Sequence, residues 1–319
     1  VCRLLLEKKK ISKPLKLKLE FSARDNIQLS FLAMPAFLLV FVFNYLPLLG
    51  LVISFKNFNA NLGIFNSPWV GFENFKFFFE SQDAWRVMRN TILFGINFQI
   101  TGIIAALSLA MFLYEIKSKY TLKSIQTAMI LPHFLSMVLV AFITYAILSP
   151  KSGVLNSFLK QFGVAGIDWY SDPKYWVWIL TLVNIWKYVG MNSIIYYAAL
   201  MGIDESLFEA ARIDGANKWQ EIWHIKLPEL SSIICILMIL GIGNLISGDF
   251  GLFYQVPMDI GVLYPVTDII NTYVFRGLQQ ATNMGMSTAV GLFQSVISLI
   301  LVVGTNLIVK RIDSDKSMF

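Results

Sequence analysis

Charged residues are scarce in this chain, and cysteines are few. Asp, Glu, Lys and Arg make up 14% of its 319 residues, against about 25% in an average soluble domain. Hydrophobic residues make up 56% of the chain, and its mean hydropathy is +0.62. The two cysteines, Cys2 and Cys235, form neither a closely spaced metal-binding pair nor a disulfide framework. This composition excludes an ordinary soluble enzyme, a disordered or collagen-like chain and a disulfide scaffold, and it predicts a polytopic membrane protein.

Common catalytic and nucleotide-binding motifs are missing as well. No Gly-Lys dipeptide occurs, which excludes a P-loop, and no GxSxG nucleophile elbow is present. His133 and His224 are too far apart in sequence for a zinc site of the HExxH type. We therefore predict no catalytic residue, no metal site and no cofactor in this chain. Because His133 follows Pro132 inside an apolar run, we interpret it as a hydrogen-bonded structural histidine in preference to a proton relay.

Long runs without charge divide the chain into six predicted membrane spans. A bilayer core about 30 Å thick is crossed by roughly 20 helical residues, and continuous apolar runs favour helices. The predicted fold is therefore all-α, with a six-helix domain over 26–309 between a basic N-terminal tail, 1–25, and a C-terminal tail, 310–319. The six runs are 26–55, 90–114, 124–150, 175–203, 230–248 and 277–309.

The basic residues predict the orientation of these spans. Roughly twice as many Lys and Arg residues lie in the two tails and in the second and fourth connections as in the other connections. By the positive-inside rule, both termini are predicted to be cytoplasmic. The first run is too long for a signal-peptide core, so we expect it to be retained as a membrane span.

The fourth connection, about 201–230, predicts a short amphipathic helix outside the membrane. Asp204 is suited to cap its N-terminus, and its apolar residues, Phe208 among them, fall on one face with charged residues opposite. Gly215 is suited to end the helix or to admit a closely packed surface. Pro228 fits the first turn of the fifth span, where its missing N–H has no cost.

The spacing in this connection resembles the EAA loop of permease subunits of binding-protein-dependent ABC importers. The pattern is Glu-Ala-Ala, three residues, Gly, nine residues, Ile, one residue, then Leu-Pro. In that family the short helix is a coupling helix that docks on a separate ATPase subunit, so the resemblance implies an ATPase-coupling role. The residues that match the pattern are Glu209, Ala210, Ala211, Asp214, Gly215, Ile225, Leu227 and Pro228.

Segments outside this loop, among them 43–50 and 67–75, resemble the LplB-type branch of carbohydrate permeases. The resemblance implies import of an oligosaccharide across a bacterial cell membrane by a multi-pass, non-enzymatic subunit. It also implies three kinds of protein partner: a second EAA-type permease, often a different chain, two ABC ATPases that bind ATP and Mg²⁺, and a lipid-anchored or periplasmic solute-binding protein. No nucleic-acid partner is expected.

The fourth span is unusually polar for a membrane helix. Four of its polar residues fall within about 140° of one another on a helical wheel, and a charge in mid-span normally faces a bundle interior or a wet cavity. We therefore predict that this face lines the sugar path. Alternatively, Lys187 pairs with a carbonyl or a partner-subunit carboxylate and fixes helix packing. The predicted path residues are Asn184, Lys187, Tyr188 and Asn192, joined by Asn244 in the fifth span and Gln294 in the sixth.

Three other functions are compatible with parts of this pattern. An ABC importer permease for an amino acid, phosphate or other non-sugar solute shares the EAA loop. A secondary transporter is disfavoured because the acidic residues fall in loops, tails or span ends. A membrane sensor or scaffold would assemble a complex without measurable uptake.

Overall fold

The computed structural model describes residues 23–279 and 284–312, which are mainly helical. This confirms the all-α prediction for the described part of the chain. Most of both predicted tails, 1–25 and 310–319, lies outside the described residues. The chain divides into two compact units, Val1–Gly50 and Leu51–Phe319.

The described part of the first unit is one helical segment. Helix α1 (Ala23–Val40) continues as a π-helix, Phe41–Tyr45, and then as a 3-10 helix, Leu46–Phe55. From Gln28 to Leu49 every side chain is exposed. An apolar helix without a polar face is suited to contact lipid on all sides.

The second unit contains the remaining helices. An isolated β-bridge pairs Lys56 with Trp69. A π-helix, Ile222–Lys226, joins the helices Lys218–Glu221 and Leu227–Asn244. Two short 3-10 helices, Pro173–Tyr175 and Gly261–Leu263, directly precede the helices that begin at Trp176 and Tyr264. The helices are α2 (Gly63–Asn66), α3 (Glu73–Glu80), α4 (Ala84–Tyr114), α5 (Lys119–Phe134), α6 (Met137–Leu148), α7 (Val154–Gln161), α8 (Trp176–Leu200), α9 (Glu205–Ile213), α10 (Lys218–Glu221), α11 (Leu227–Asn244), α12 (Phe250–Gln255), α13 (Tyr264–Thr267), α14 (Ile270–Gln279) and α15 (Met284–Ile312).

Within the described ranges, four helical segments are long and apolar enough to cross a membrane. They are Gln28–Phe55, Ala84–Tyr114, Lys218–Asn244 and Met284–Arg311, and they correspond to the first, second, fifth and sixth predicted spans. The fourth predicted span is helix α8, whose 25 residues are long enough to cross. It is not among those four segments, and it carries a lysine and two asparagines within its length. The count of six spans is compatible with these helices and stays a prediction.

The third predicted span, 124–150, falls on a pair of helices that together are long and apolar enough to cross a membrane, but it is not one continuous helix. Helices α5 and α6 replace it and meet at a bend of 102°. Pro132 lacks a backbone donor in the last turn of α5, and Leu135 and Ser136 have extended backbone. The Ser136 hydroxyl then accepts the Leu139 N–H at 3.3 Å and caps α6. The Ser136 cap thus starts α6 as a separate helix after α5 has ended.

Helices α4 and α8 pack side by side at the centre of this unit. Buried apolar clusters lie at the two ends of α4, one around Phe94 and Trp176, the other around Ala110 and Tyr196. Helix α5 crosses α8 at Gly190, where an added Cβ would lie 1.9 Å from the carbonyl oxygen of Met129. The crossing therefore requires glycine.

Candidate functional site

A cavity of about 530 Å³ lies between α4, α8 and α11 and extends to the segment that leads into α12. Phe94, Phe98 and Phe253 contribute aromatic surface to its wall. Amide and hydroxyl groups can exchange hydrogen bonds with a polyhydroxylated ligand, and aromatic rings can contact its apolar faces. The polar side chains of the wall are Thr91, Gln99, Asn184, Tyr188, Asn192, Tyr196, Asn244, Ser247 and Asp249.

The structure brings four of the six predicted path residues together in this cavity. Asn184, Tyr188 and Asn192 line it from α8, and Asn244 lines it from α11. Gln294 is buried outside the cavity wall, and its amide donates to the carbonyl oxygen of Ile246. Substrate contact by the four lining residues stays a prediction.

Lys187 is also absent from the cavity wall, because its side chain extends to the break between α5 and α6. Its Nζ donates to the carbonyl oxygens of Leu135 at 2.5 Å, His133 at 3.3 Å and Pro132 at 3.4 Å. Carbonyls at a helix C-terminus have no partner within the helix and carry partial negative charge. Lys187 is only 5% exposed, and its ammonium donates to these carbonyls. This agrees with the alternative interpretation, in which Lys187 pairs with a carbonyl and fixes helix packing.

Asp249 is a cavity residue that the sequence analysis missed. Its Oδ2 accepts the Tyr188 hydroxyl at 2.7 Å, and its Oδ1 accepts the Leu252 N–H at 3.1 Å, which caps α12. The available signal was its position between two apolar segments, directly after the run 230–248. Treating it as the first residue of an outer connection, 249–276, overlooked that the chain folds back to the cavity there.

His133 does not match its interpretation as a hydrogen-bonded histidine. Its Nδ1 is buried and has no hydrogen-bond partner in the part of the chain that the structure describes. The ring packs against Tyr188, with centroids 5.8 Å apart. Aromatic packing therefore holds this side chain beside the cavity wall.

The loop 201–230 contains the predicted amphipathic helix as α9. Asp204 caps it by accepting the Ser206 N–H at 3.0 Å, and Phe208 is buried. The helix ends at Ile213, and Gly215, two residues later, has φ of +78°. The N–H groups of Gly215 and Ala216 return to the carbonyls of Arg212 and Ala211, at 3.1 and 2.9 Å, as in a Schellman motif.

The other EAA residues lie on or beside a surface hollow of about 370 Å³. Its wall includes Ala211, Asp214, Gly215 and Ile225. Glu209 and Ala210 are exposed on the adjoining helix, and Leu227 and Pro228 are in the first turn of α11.

Pro228 lies in the first turn of α11, as the sequence analysis predicted, but the helical segment of the fifth span begins earlier. That span is helical from Lys218. The π-helix Ile222–Lys226 lies directly before the proline. A π-turn of this kind accommodates a residue that disrupts the regular α-helical ladder.

Buried charges tie this loop to the end of α4. Lys226 is 1% exposed, and its Nζ donates to Glu115 at 2.7 Å. Lys218 bridges Glu115 at 3.2 Å and Glu221 at 3.0 Å. Partial burial opposes ionisation of Glu115, but hydrogen bonds from the two lysines outweigh it and hold the pKa of that carboxyl below its usual value. The loop is thereby fixed to the second span.

The family comparison agrees with this arrangement of loop, helices and cavity. Residues 100–314 match the model of the binding-protein-dependent transport system inner membrane component family. The chain belongs to this family. The matched range includes the loop 201–230, and the multi-pass membrane location follows from membership.

Two relatives from Bacillus subtilis (strain 168) resemble this permease over most of its length. Protein LplB is 36% identical over 89% of each chain. The permease YteP of a polygalacturonan/rhamnogalacturonan transport system is 34% identical over 87% of this chain and 86% of its own. The similarity therefore includes the N-terminal region outside the matched family range.

Solved structures of a bacterial alginate importer have the same fold as this permease. One, of a transporter for the acidic polysaccharide alginate, aligns with a TM-score of 0.83 and 32% identity, covering 91% of this chain and 97% of the other. A second holds that importer with its alginate pentasaccharide-bound periplasmic protein, at a TM-score of 0.81 and 31% identity, covering 91% and 96% of the two chains.

Proposed function

We propose that this permease forms one half of the membrane channel of an ABC importer for an oligosaccharide. The observation that carries the proposal is the cavity between α4, α8 and α11, whose wall combines amides, hydroxyls and aromatic rings. Sugars are bound through that combination of hydrogen bonds and ring contacts. The polysaccharide transport named for YteP and for the alginate importer supports the same substrate class.

The proposal assigns the solute-binding protein and a second permease as partners. The alginate importer, solved with a sugar-loaded periplasmic protein, supports delivery by such a protein. Residues of this one chain line the cavity, and the family match supports pairing with a second permease of the same family, which would complete the channel wall.

ATP hydrolysis is assigned to two separate ATPase subunits, which bind the ATP and Mg²⁺. The ATPase subunits would contact the exposed Glu209 through a polar interaction and fill the hollow beside Gly215. Movement of this surface would be passed to α4 through Glu115 and Lys226. The cavity then opens alternately to the two sides of the membrane, in a two-state change driven by differential contacts.

Docking of cytoplasmic ATPases on the EAA loop also fixes the proposed orientation. The loop precedes the fifth span, so with six spans both termini lie on the loop's side of the membrane. The excess of Lys and Arg in the tails supports this topology. A cysteine-accessibility assay at each terminus would test it.

The test is uptake by the complete importer in proteoliposomes, with its binding protein outside and ATP inside. We expect ATP-dependent accumulation of an oligosaccharide that an ionophore leaves unchanged. Uptake that persists without the ATPases, or that an ionophore abolishes, would identify a secondary transporter. Assembly of the full complex without uptake of any solute would favour a sensor or scaffold.

A further inference from the structure

The cavity wall has an uncompensated negative charge. Asp249 is the one carboxylate among the described residues that line it, and they include no Lys, Arg or His. The remaining polar groups are neutral amides and hydroxyls. On the half of the channel wall that this chain provides, a charged ligand would therefore meet a single formal charge, and that charge is negative.

Hydrogen bonds hold the Asp249 carboxylate at the cavity without neutralising it. Both oxygens accept, one from the Tyr188 hydroxyl and one from the Leu252 N–H. Within the described part of the chain, no cation is close enough to form an ion pair with it. Lys187, adjacent to Tyr188 in sequence, instead donates to carbonyls at the end of α5. The tertiary structure thus separates the one cation of α8 from the cavity.

This charge distribution distinguishes two classes of oligosaccharide. Each uronic acid residue carries a carboxylate that Asp249 would repel, and the repulsion is strong where water is displaced. Hydroxyls of a neutral sugar can instead donate to Asp249 and pair with the amides of Asn184, Asn192 and Asn244. We infer that Asp249 makes this cavity selective for uncharged oligosaccharides over oligosaccharides of uronic acids, an inference that rests on the proposed function.

Transport by the complete importer tests the substrate class. The probes are neutral xylo-, manno- and galacto-oligosaccharides, compared with oligogalacturonates and alginate oligosaccharides of matched length. We expect ATP-dependent uptake of a neutral probe and of no uronate. Uptake of a uronate would overturn the charge inference and leave the proposed function intact. Uptake of no glycan would contradict the proposed function, and the inference would fall with it.

Binding to the assembled permease and ATPase complex in nanodiscs, without the solute-binding protein, tests Asp249 itself. The probes are a neutral and a uronate trisaccharide, and the readout is the ratio of their dissociation constants. Asp249→Asn removes the charge but keeps a good helix cap, and we expect it to reduce the preference for the neutral sugar about tenfold.

Asp172→Asn is the matched control. Asp172 is also an N-cap aspartate, but it lies outside the cavity wall, so its substitution should leave the ratio unchanged. An unchanged ratio in assembled Asp249→Asn, or a wild-type preference for the uronate, would overturn the inference. Binding of neither sugar would contradict the cavity as a glycan site, and with it the proposed function.

Discussion

Gly215 has a backbone conformation, φ +78°, that L side chains rarely adopt. Nothing lies within 4 Å of an added Cβ, so Gly215→Ala tests the backbone alone and should cost about 1 kcal/mol of loop stability. Gly215→Trp adds bulk to the proposed ATPase surface and should strongly reduce ATPase association and uptake. Co-purification and uptake at matched expression measure both effects. Gly215→Asn is the control, since Asn tolerates positive φ, and normal uptake by Gly215→Trp would contradict the role.

Lys187 and Asn192 should differ in the kind of defect that their loss causes. Lys187→Met removes the ammonium that three carbonyls of the α5–α6 break accept from, although the Pro132 carbonyl keeps the Leu135 N–H. The loss should be about 1–3 kcal/mol. We expect a lower melting temperature in detergent and a lower maximal uptake rate with little change in apparent KM. Asn192→Leu should instead raise the apparent KM and leave the melting temperature nearly unchanged. A raised KM with unchanged melting in Lys187→Met would restore Lys187 to the sugar path.

Asp268 is a second buried charge with several partners. Its carboxylate is fully buried and accepts from Arg86 at 3.0 Å, from Arg276 and from the Thr272 hydroxyl at 2.8 Å. Asp268→Ala removes the carboxylate that Arg86 and Arg276 share, but Arg86 keeps Asp83 and Arg276 keeps Asp259. The loss should therefore be about 2 kcal/mol. Thermal unfolding in detergent measures this loss. Asp172→Asn, which removes the charge of an exposed pair with Lys174 but keeps a good cap, is the control and should have almost no effect.

The loop 201–230 is joined to the end of α4 by an ion pair from its π-helix and by aromatic packing from α9. Lys226 pairs with Glu115 and lies 4.7 Å over the Tyr114 ring, and Tyr114 packs against Phe208. A double-mutant cycle of Glu115→Gln and Lys226→Met should give a coupling energy of about 1 kcal/mol, reduced from a fully buried value by the partial exposure of Glu115.

The same variants should weaken transport more than they weaken assembly. Each should lower the sugar transported per ATP hydrolysed, because the loop would move without displacing α4. Lys174→Met, on an exposed pair, is the matched control for loss of a lysine charge. Full transport efficiency in both Glu115→Gln and Lys226→Met would show that force reaches the spans by another route.

At the scale of the whole molecule, this permease is expected to work only in a complex. The helix α9 surface has exposed polar groups and a hollow at its end, and the cavity is bounded by one bundle. Affinity purification should therefore recover two ATPases and a second permease with it. An active preparation that lacks ATPase subunits would contradict this expectation. A tagged Gly215→Trp chain should recover as much of the second permease as the wild type but less ATPase. This result would distinguish the interface with the second permease from the interface with the ATPases.

The sequence by itself determined the features that depend on neighbours along the chain. The apolar runs predicted helices because a bilayer requires satisfied backbone groups. Asp204 and Gly215 predicted both ends of α9, since capping uses groups only a few residues apart. The EAA spacing predicted the family, which the comparison confirmed.

Only the tertiary structure decided which polar groups face the cavity. On a helical wheel Lys187 and Tyr188 are neighbours, yet one side chain extends to the break between α5 and α6 and the other to Asp249. The carbonyls that attract Lys187 become available because α5 ends at Phe134, more than fifty residues earlier in the chain. Asp249 enters the cavity because the chain turns back after α11. Such pairings depend on contacts between distant segments, and no local pattern contains them.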